Sequence, residues 1–103
     1  MSDRIVSDAT KNRLGSFSMA CEAGQEIFKT KNTEYGDSIR FGGALAACYE
    51  IVGAAMRLPT LVFFKADHGR SRATLLYGIL LDIHNYANIA IMMMKENNWE
   101  GRL

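Results

Sequence analysis

The sequence predicts an all-α bundle of about four helices, a single domain over residues 1–103 that pairs with a second copy of itself. Three observations carry this expectation. The chain has one proline, Pro59, its apolar residues recur at three- and four-residue steps, and the one short stretch that could be a strand has no second strand to pair with. Its 103 residues suit one compact domain.

Each element follows from its own pattern. Leu14, Phe17, Cys21, Gly24 and Phe28, with Ala20 and Ile27 beside them, predict an amphipathic helix from about Asp8 to Lys31, with Ser7, Asp8 and Thr10 available as caps. The segment Asn32 to Ser38 then gathers turn formers and reads as an ordered functional loop. A second helix runs from about Gly43 to Leu58. It is rich in Ala and Gly, and Glu50 is its only ionisable acid or base before Arg57, so it is expected to be buried on all sides. Pro59 ends it. Thr60 to Phe64 fits a strand or a helical turn, and helix is preferred. Lys65 to Arg72 reads as a polar loop in which Ser71 or Asp67 caps the next helix, and His68, Arg70 and Arg72 offer an anion contact. The last helix extends from about Ser71 to Glu96, with an apolar stripe through Leu75, Leu76, Ile79, Leu80, Ile83, Tyr86, Ala87, Ala90, Met93 and Met94. Asp82 and Asn85 stand at the margin of that stripe, and Trp99 is expected to pack back on the bundle.

Composition narrows the function classes. With 12 Lys and Arg against 11 Asp and Glu, the net charge of +1 gives no broad surface for duplex DNA. No secretory leader or membrane span is read from the pattern, so a cytoplasmic, membrane-free protein is expected. Cys21 and Cys48 lack metal-site or redox spacing and read as buried free thiols. His84 reads as a helix-face histidine, and Met92 to Met94 as fillers of core and interface.

A few residues carry possible chemistry. An ionised Glu50 on an apolar helix needs compensation, either from Arg57, Arg40 or Lys31 in an ion pair or from a cation at a site. Asp82 poses the same question, and if the second and last helices are antiparallel the two acids converge. Mg²⁺ would suit two carboxylates with waters and substrate phosphates. Lys31, Asn32, Tyr35, Asp37 and Ser38 form a compact string in which Lys31 meets a phosphate or the segment is simply a turn. Arg57 and Asn85 complete the candidate ligand-binding set, while Glu50 and Asp82 are the candidate metal ligands.

Three blocks also carry a resemblance: Lys31-Asn32-Thr33-Glu34-Tyr35-Gly36-Asp37-Ser38, Arg57-Leu58-Pro59-Thr60-Leu61-Val62 and Leu80-Leu81-Asp82-Ile83-His84-Asn85-Tyr86-Ala87. Together they resemble the nucleotide modification associated domain 1 family, which is similar to the all-α nucleoside triphosphate pyrophosphatases of the MazG and dimeric dUTPase type. The resemblance spans about Phe28 to Met93. It implies a MazG-like bundle and a nucleotide or phosphate ligand, with Mg²⁺ as the implied cofactor. Where the family has an acid and a lysine before the arginine of the middle block, this chain has Gly53 and Ala54. Against the ExxE and ExxD helices of the pyrophosphatases, Glu50 is followed by Gly53 and Asp82 is preceded by Ile79, so half of the acidic cage is missing. Three expectations follow: a nucleotide-binding domain, a non-catalytic dimeric interaction protein, or a pyrophosphatase whose ligands come from Glu22, Glu26 or the other subunit.

Overall fold

A computed structural model describes residues 5–63 and 72–102. The described residues are helical with no strand: α1 spans Asp8–Glu34, α2 Ile39–Ala55, α3 Leu58–Phe63 and α4 Arg72–Lys95. Three long helices thus carry the architecture, and α3, six residues long, makes fewer than two turns. Phe64, the polar loop and its expected caps Asp67 and Ser71 lie outside the described residues.

Local chemistry sets the ends of α1. The Ser7 side chain accepts from the Thr10 amide at 3.1 Å, and Asp8 places a carboxylate in the first turn. At the other end α1 runs one turn beyond its expected limit. Gly36 adopts φ 63°, and the Asp37 N–H returns to the Asn32 carbonyl at 3.1 Å, a Schellman closure. The predicted loop is therefore reduced to the four residues 35–38, and Lys31 and Asn32 sit on helix.

α2 begins earlier than the pattern suggests, at Ile39, but breaks at Gly43, where φ is 69° and ψ −166°. The break leaves the amides of Ala44 and Leu45 without helical acceptors. They donate instead to the carbonyls of Asn98 and Trp99, each at 2.9 Å. Asn98, 3% exposed, secures this clasp: its Nδ2 donates to the Arg40 carbonyl at 2.9 Å and its Oδ1 accepts from the Gly101 amide at 3.0 Å. Trp99 docks through its backbone, with its ring about half exposed. Asn97, at φ 55°, turns the chain out of α4, and Asn98 N–H closes on the Met93 carbonyl at 2.7 Å.

α2 ends at Ala55, before Pro59, which occupies the first turn of α3, where its missing N–H costs nothing. Arg72 caps the far end of α3, donating from Nε to the Leu61 carbonyl and from its terminal nitrogen to the Val62 carbonyl.

The core lies between α2 and α4. Ala44 and Ala47 pack with Ile89, Ala90 and Met93 near the clasp, and Ala54 packs with Leu61 and Ile79 at the opposite end, so the two helices are antiparallel. α1 joins through buried Gly24, where an added Cβ would meet His84 Nδ1 at 2.5 Å and Asn85 Oδ1 at 2.6 Å.

Several expectations are corrected. α2 is not buried on all sides: Gly43, Ala44, Ala47 and Ala54 face the core while Leu45, Tyr49, Val52 and Met56 face water. Glu50 and Cys48 are exposed too, and Cys21 is half-buried. Leu80 and Met94 leave the predicted stripe of α4 for the surface, and Ile89 takes a core position. The cause is common to all: one chain supplies neighbours for only one face of each helix, so apolar residues beyond that face stay open.

The two kinds of glycine predict opposite outcomes. Gly43→Ala forces a Cβ to 2.6 Å from the Gly101 amide at a positive φ and should cost about 2–4 kcal/mol. Gly15→Ala meets nothing within 4 Å on helical backbone and should gain about 0.5–1 kcal/mol. Urea melts of both variants read the difference directly.

Candidate functional site

The end of α1 and the start of α2 lean over the middle of α4 and enclose a cleft of about 380 Å³. Its apolar floor comes from Ile27, Phe28, Ile39 and Ile89, and its polar walls from Lys31, Asn32, Tyr35, Ser38, Asp82, Asn85 and Tyr86. Residues more than forty positions apart meet because α1 packs on α4 at Gly24. Lys31 and Asn32, one helical turn beyond Ile27 and Phe28, then reach the level of Asp82 and Asn85.

Asn32 is the most constrained of these groups. Its Nδ2 donates to Asp37 Oδ1 at 3.2 Å, which fixes the orientation of the amide. The Oδ1 is consequently an acceptor, buried and without a hydrogen-bond partner. A buried acceptor left unpaired is costly, so the site has an unmet demand for a donor. Asp37, at φ 60°, does not line the cleft itself and acts through Asn32.

A second groove, about 620 Å³, shares Ile27, Lys31 and Asp82 with the cleft and adds Met56, Arg57 and Thr60. Arg57 and Asp82 form an ion pair at 3.9 Å, with side chains 60% and 42% exposed. At that exposure the pair contributes little to stability and both partners remain open to a ligand. Asp82, not Glu50, is thus the acid that Arg57 meets.

Glu50 lines a third, smaller hollow of about 160 Å³ with Tyr86, Ser38 and Ile39. It has no ion pair among the described residues, and its exposure to water replaces the expected buried partner. Tyr86 stands between the two acids. Burial raises its phenol above the ordinary 10.0, and the charges of Glu50 and then Asp82 raise it further. It therefore stays protonated and keeps a hydrogen-bond donor near both acids.

Of the candidate residues, Lys31, Asn32, Tyr35, Ser38, Asn85 and Asp82 are brought to one cleft, Arg57 to the adjoining groove and Glu50 to the far side of Tyr86. Among the described residues no group of three His, Cys, Asp or Glu side chains gathers at metal-binding distance. Sequence reasoning placed Tyr86 in the core stripe, where it packs against the buried cluster, but did not name it among the residues that line the cleft. The available signal was its polar tip, one helical turn after Asp82 and beside Asn85. No family model, curated protein or solved structure matches the chain.

The raised Tyr86 pKa has a definite stability sign. Unfolded, the phenol ionises near its ordinary value of 10.0, whereas folded it holds its proton to higher pH. The unfolded state therefore binds fewer protons in that window, and stability falls as pH rises from about 10 through the folded value. Tyr86→Phe should flatten this alkaline loss. Glu50→Gln should lower the Tyr86 titration midpoint, followed by absorbance at 295 nm, and an unchanged midpoint would dissociate Glu50 from the site.

Proposed function

We propose that the cleft binds a small phosphorylated ligand of the nucleotide class. Lys31 supplies the charge for a phosphate, the exposed Tyr35 ring offers a stacking face, and the amides of Asn32 and Asn85 address donors and acceptors on the ligand. Ser38 adds a hydroxyl at the mouth. The observation that carries this reading is the buried, unpartnered Oδ1 of Asn32 in a cleft that also holds a lysine, a tyrosine and two further amide or carboxylate groups. A cavity of this size, with an apolar floor and a few convergent polar groups, is typical of small-molecule sites. The resemblance to nucleotide modification associated proteins and their MazG-like relatives points to the same ligand class.

Mg²⁺ enters this proposal as a companion of the ligand. Asp82 and Glu50 supply two carboxylates on either side of Tyr86 and no third acid joins them among the described residues, so the cation would draw its remaining oxygens from phosphate and water. No reaction step is assigned. The same reading keeps the protein in the cytoplasm: α2 with α3 and α4 are long and apolar enough to cross a membrane by length and composition, but Glu50 and Arg57 interrupt one and Asp82, His84, Asn85 and Asn88 the other. The rival, a non-catalytic interaction protein, is favoured by the amount of apolar side chain on the surface.

Thermal-shift and calorimetric titrations with nucleoside mono-, di- and triphosphates, with and without Mg²⁺, test the reading. Lys31→Ala should weaken binding about ten- to a hundredfold, by roughly 1.4–2.7 kcal/mol, with a much smaller change in fold stability. Asn85→Ala should weaken it as well. A flat response of the unmodified protein to the whole panel would remove the nucleotide reading and leave the interaction protein.

A further inference from the structure

Helix α2 carries two apolar stripes. Ala44, Ala47, Ile51 and Ala54 face the body of the protein, as buried or half-buried residues. Leu45, Tyr49 and Val52, continued by the C-cap residue Met56, are between 51% and 81% exposed and form the other on the far side of the helix. Their spacing of four, three and four residues is the seam of a helix that packs lengthwise against another helix. Among the described residues nothing covers it.

The size of the uncovered surface says what kind of occupant is required. The chain exposes 8224 Å², against about 5,800 Å² for a compact monomer of this mass. Its radius of gyration is 16.7 Å, against about 13 Å for a compact chain of this length. An obligate homodimer takes about 1,000–2,500 Å² from each subunit, and the chain's surplus of roughly 2,400 Å² is enough to supply it. The four seam residues are themselves apolar, which suits an obligate interface.

We propose that α2 pairs with α2 of a second copy, antiparallel, about a two-fold axis passing between Glu50 and Ile51. The register follows from the seam. Leu45 and Met56 are equidistant from that point, as are Tyr49 and Val52, so one rotation sets Leu45 against Met56 of the partner subunit and Tyr49 against the partner's Val52. Each contact is then made twice, as a self-complementary interface demands. Large faces small at the Tyr–Val positions, whereas parallel pairing would set two tyrosines against each other. Opposed helix dipoles favour the same orientation. Met56 also borders the groove of Arg57, so the second copy closes the outer wall of that groove. None of this depends on what the cleft binds.

Light scattering on the full chain should give twice 11.5 kDa. Tyr49→Glu and Val52→Lys, each alone, should reduce the mass to that of one chain while the helical circular dichroism persists. Combined, they should restore the dimer, because antiparallel register brings the two introduced charges together across the axis. A monomeric unmodified protein would overturn the proposal, and so would its flotation with phosphatidylcholine vesicles, which would assign the seam to a bilayer. Singly substituted monomers that fail to re-pair when both changes are combined would overturn the antiparallel register. Should either single variant unfold, the mass of the unmodified protein and the re-pairing of the double variant decide alone.

Discussion

The amide of Asn98 is the contact on which the remaining geometry depends. α2 cannot run as one straight helix from Ile39, because Gly43 reverses its backbone and exposes two amides that must find acceptors. The tail after α4 provides them, and Asn98 holds that tail by bonding the Arg40 carbonyl on one side and the Gly101 amide on the other. Closed in this way, the first turn of α2 lies across α4, and Ser38 and Ile39 become part of the cleft lining. A purely structural hydrogen-bond network, remote in sequence from Lys31 and Asp82, thus shapes the site.

Small residues make the second constraint. Alanines along α2 let it approach α4 closely, and Gly24 does the same for α1. Close approach brings the polar groups of α4 against those at the end of α1 with an apolar floor beneath them. The floor matters electrostatically: it removes water from one side of Tyr86, so its phenol keeps its proton and feels both neighbouring acids. Arg57 and Asp82, further out, remain half in water and stay exchangeable partners.

The same economy of bulk leaves the molecule open. Alanine and glycine bury little area, and a helix that presents small residues inward has its larger apolar residues, Leu45, Tyr49, Val52 and Met56, directed outward. A chain of this size cannot fold over both faces of a central helix. The core of one subunit and the proposed contact between two are therefore consequences of one sequence choice.

Periodicity and capping chemistry determined much of the fold from the sequence alone: the all-helical class, the start of α1 near Asp8, the extent of α4 and a short helix around Pro59. These are legible because helix formation is governed by neighbours three and four residues away. The turn at Gly36 and the polar string from Lys31 to Ser38 were legible for the same reason, as was Asp82 at the edge of its stripe. What the sequence could not fix were facts that need two distant segments at once. The break at Gly43 looks like any glycine until the tail fills its place, and Asn98 carries no local signal. Glu50 reads as a buried acid because α2 is apolar all round, and only packing shows that a single chain covers one side of it. The meeting of Lys31 with Asp82 and Asn85 was likewise decided by the contact of α1 with α4 at Gly24, and the place of Tyr86 beside Glu50 and Asp82 by the packing of α2 on α4, since side-chain periodicity specifies which face a helix buries but not which helix it will meet.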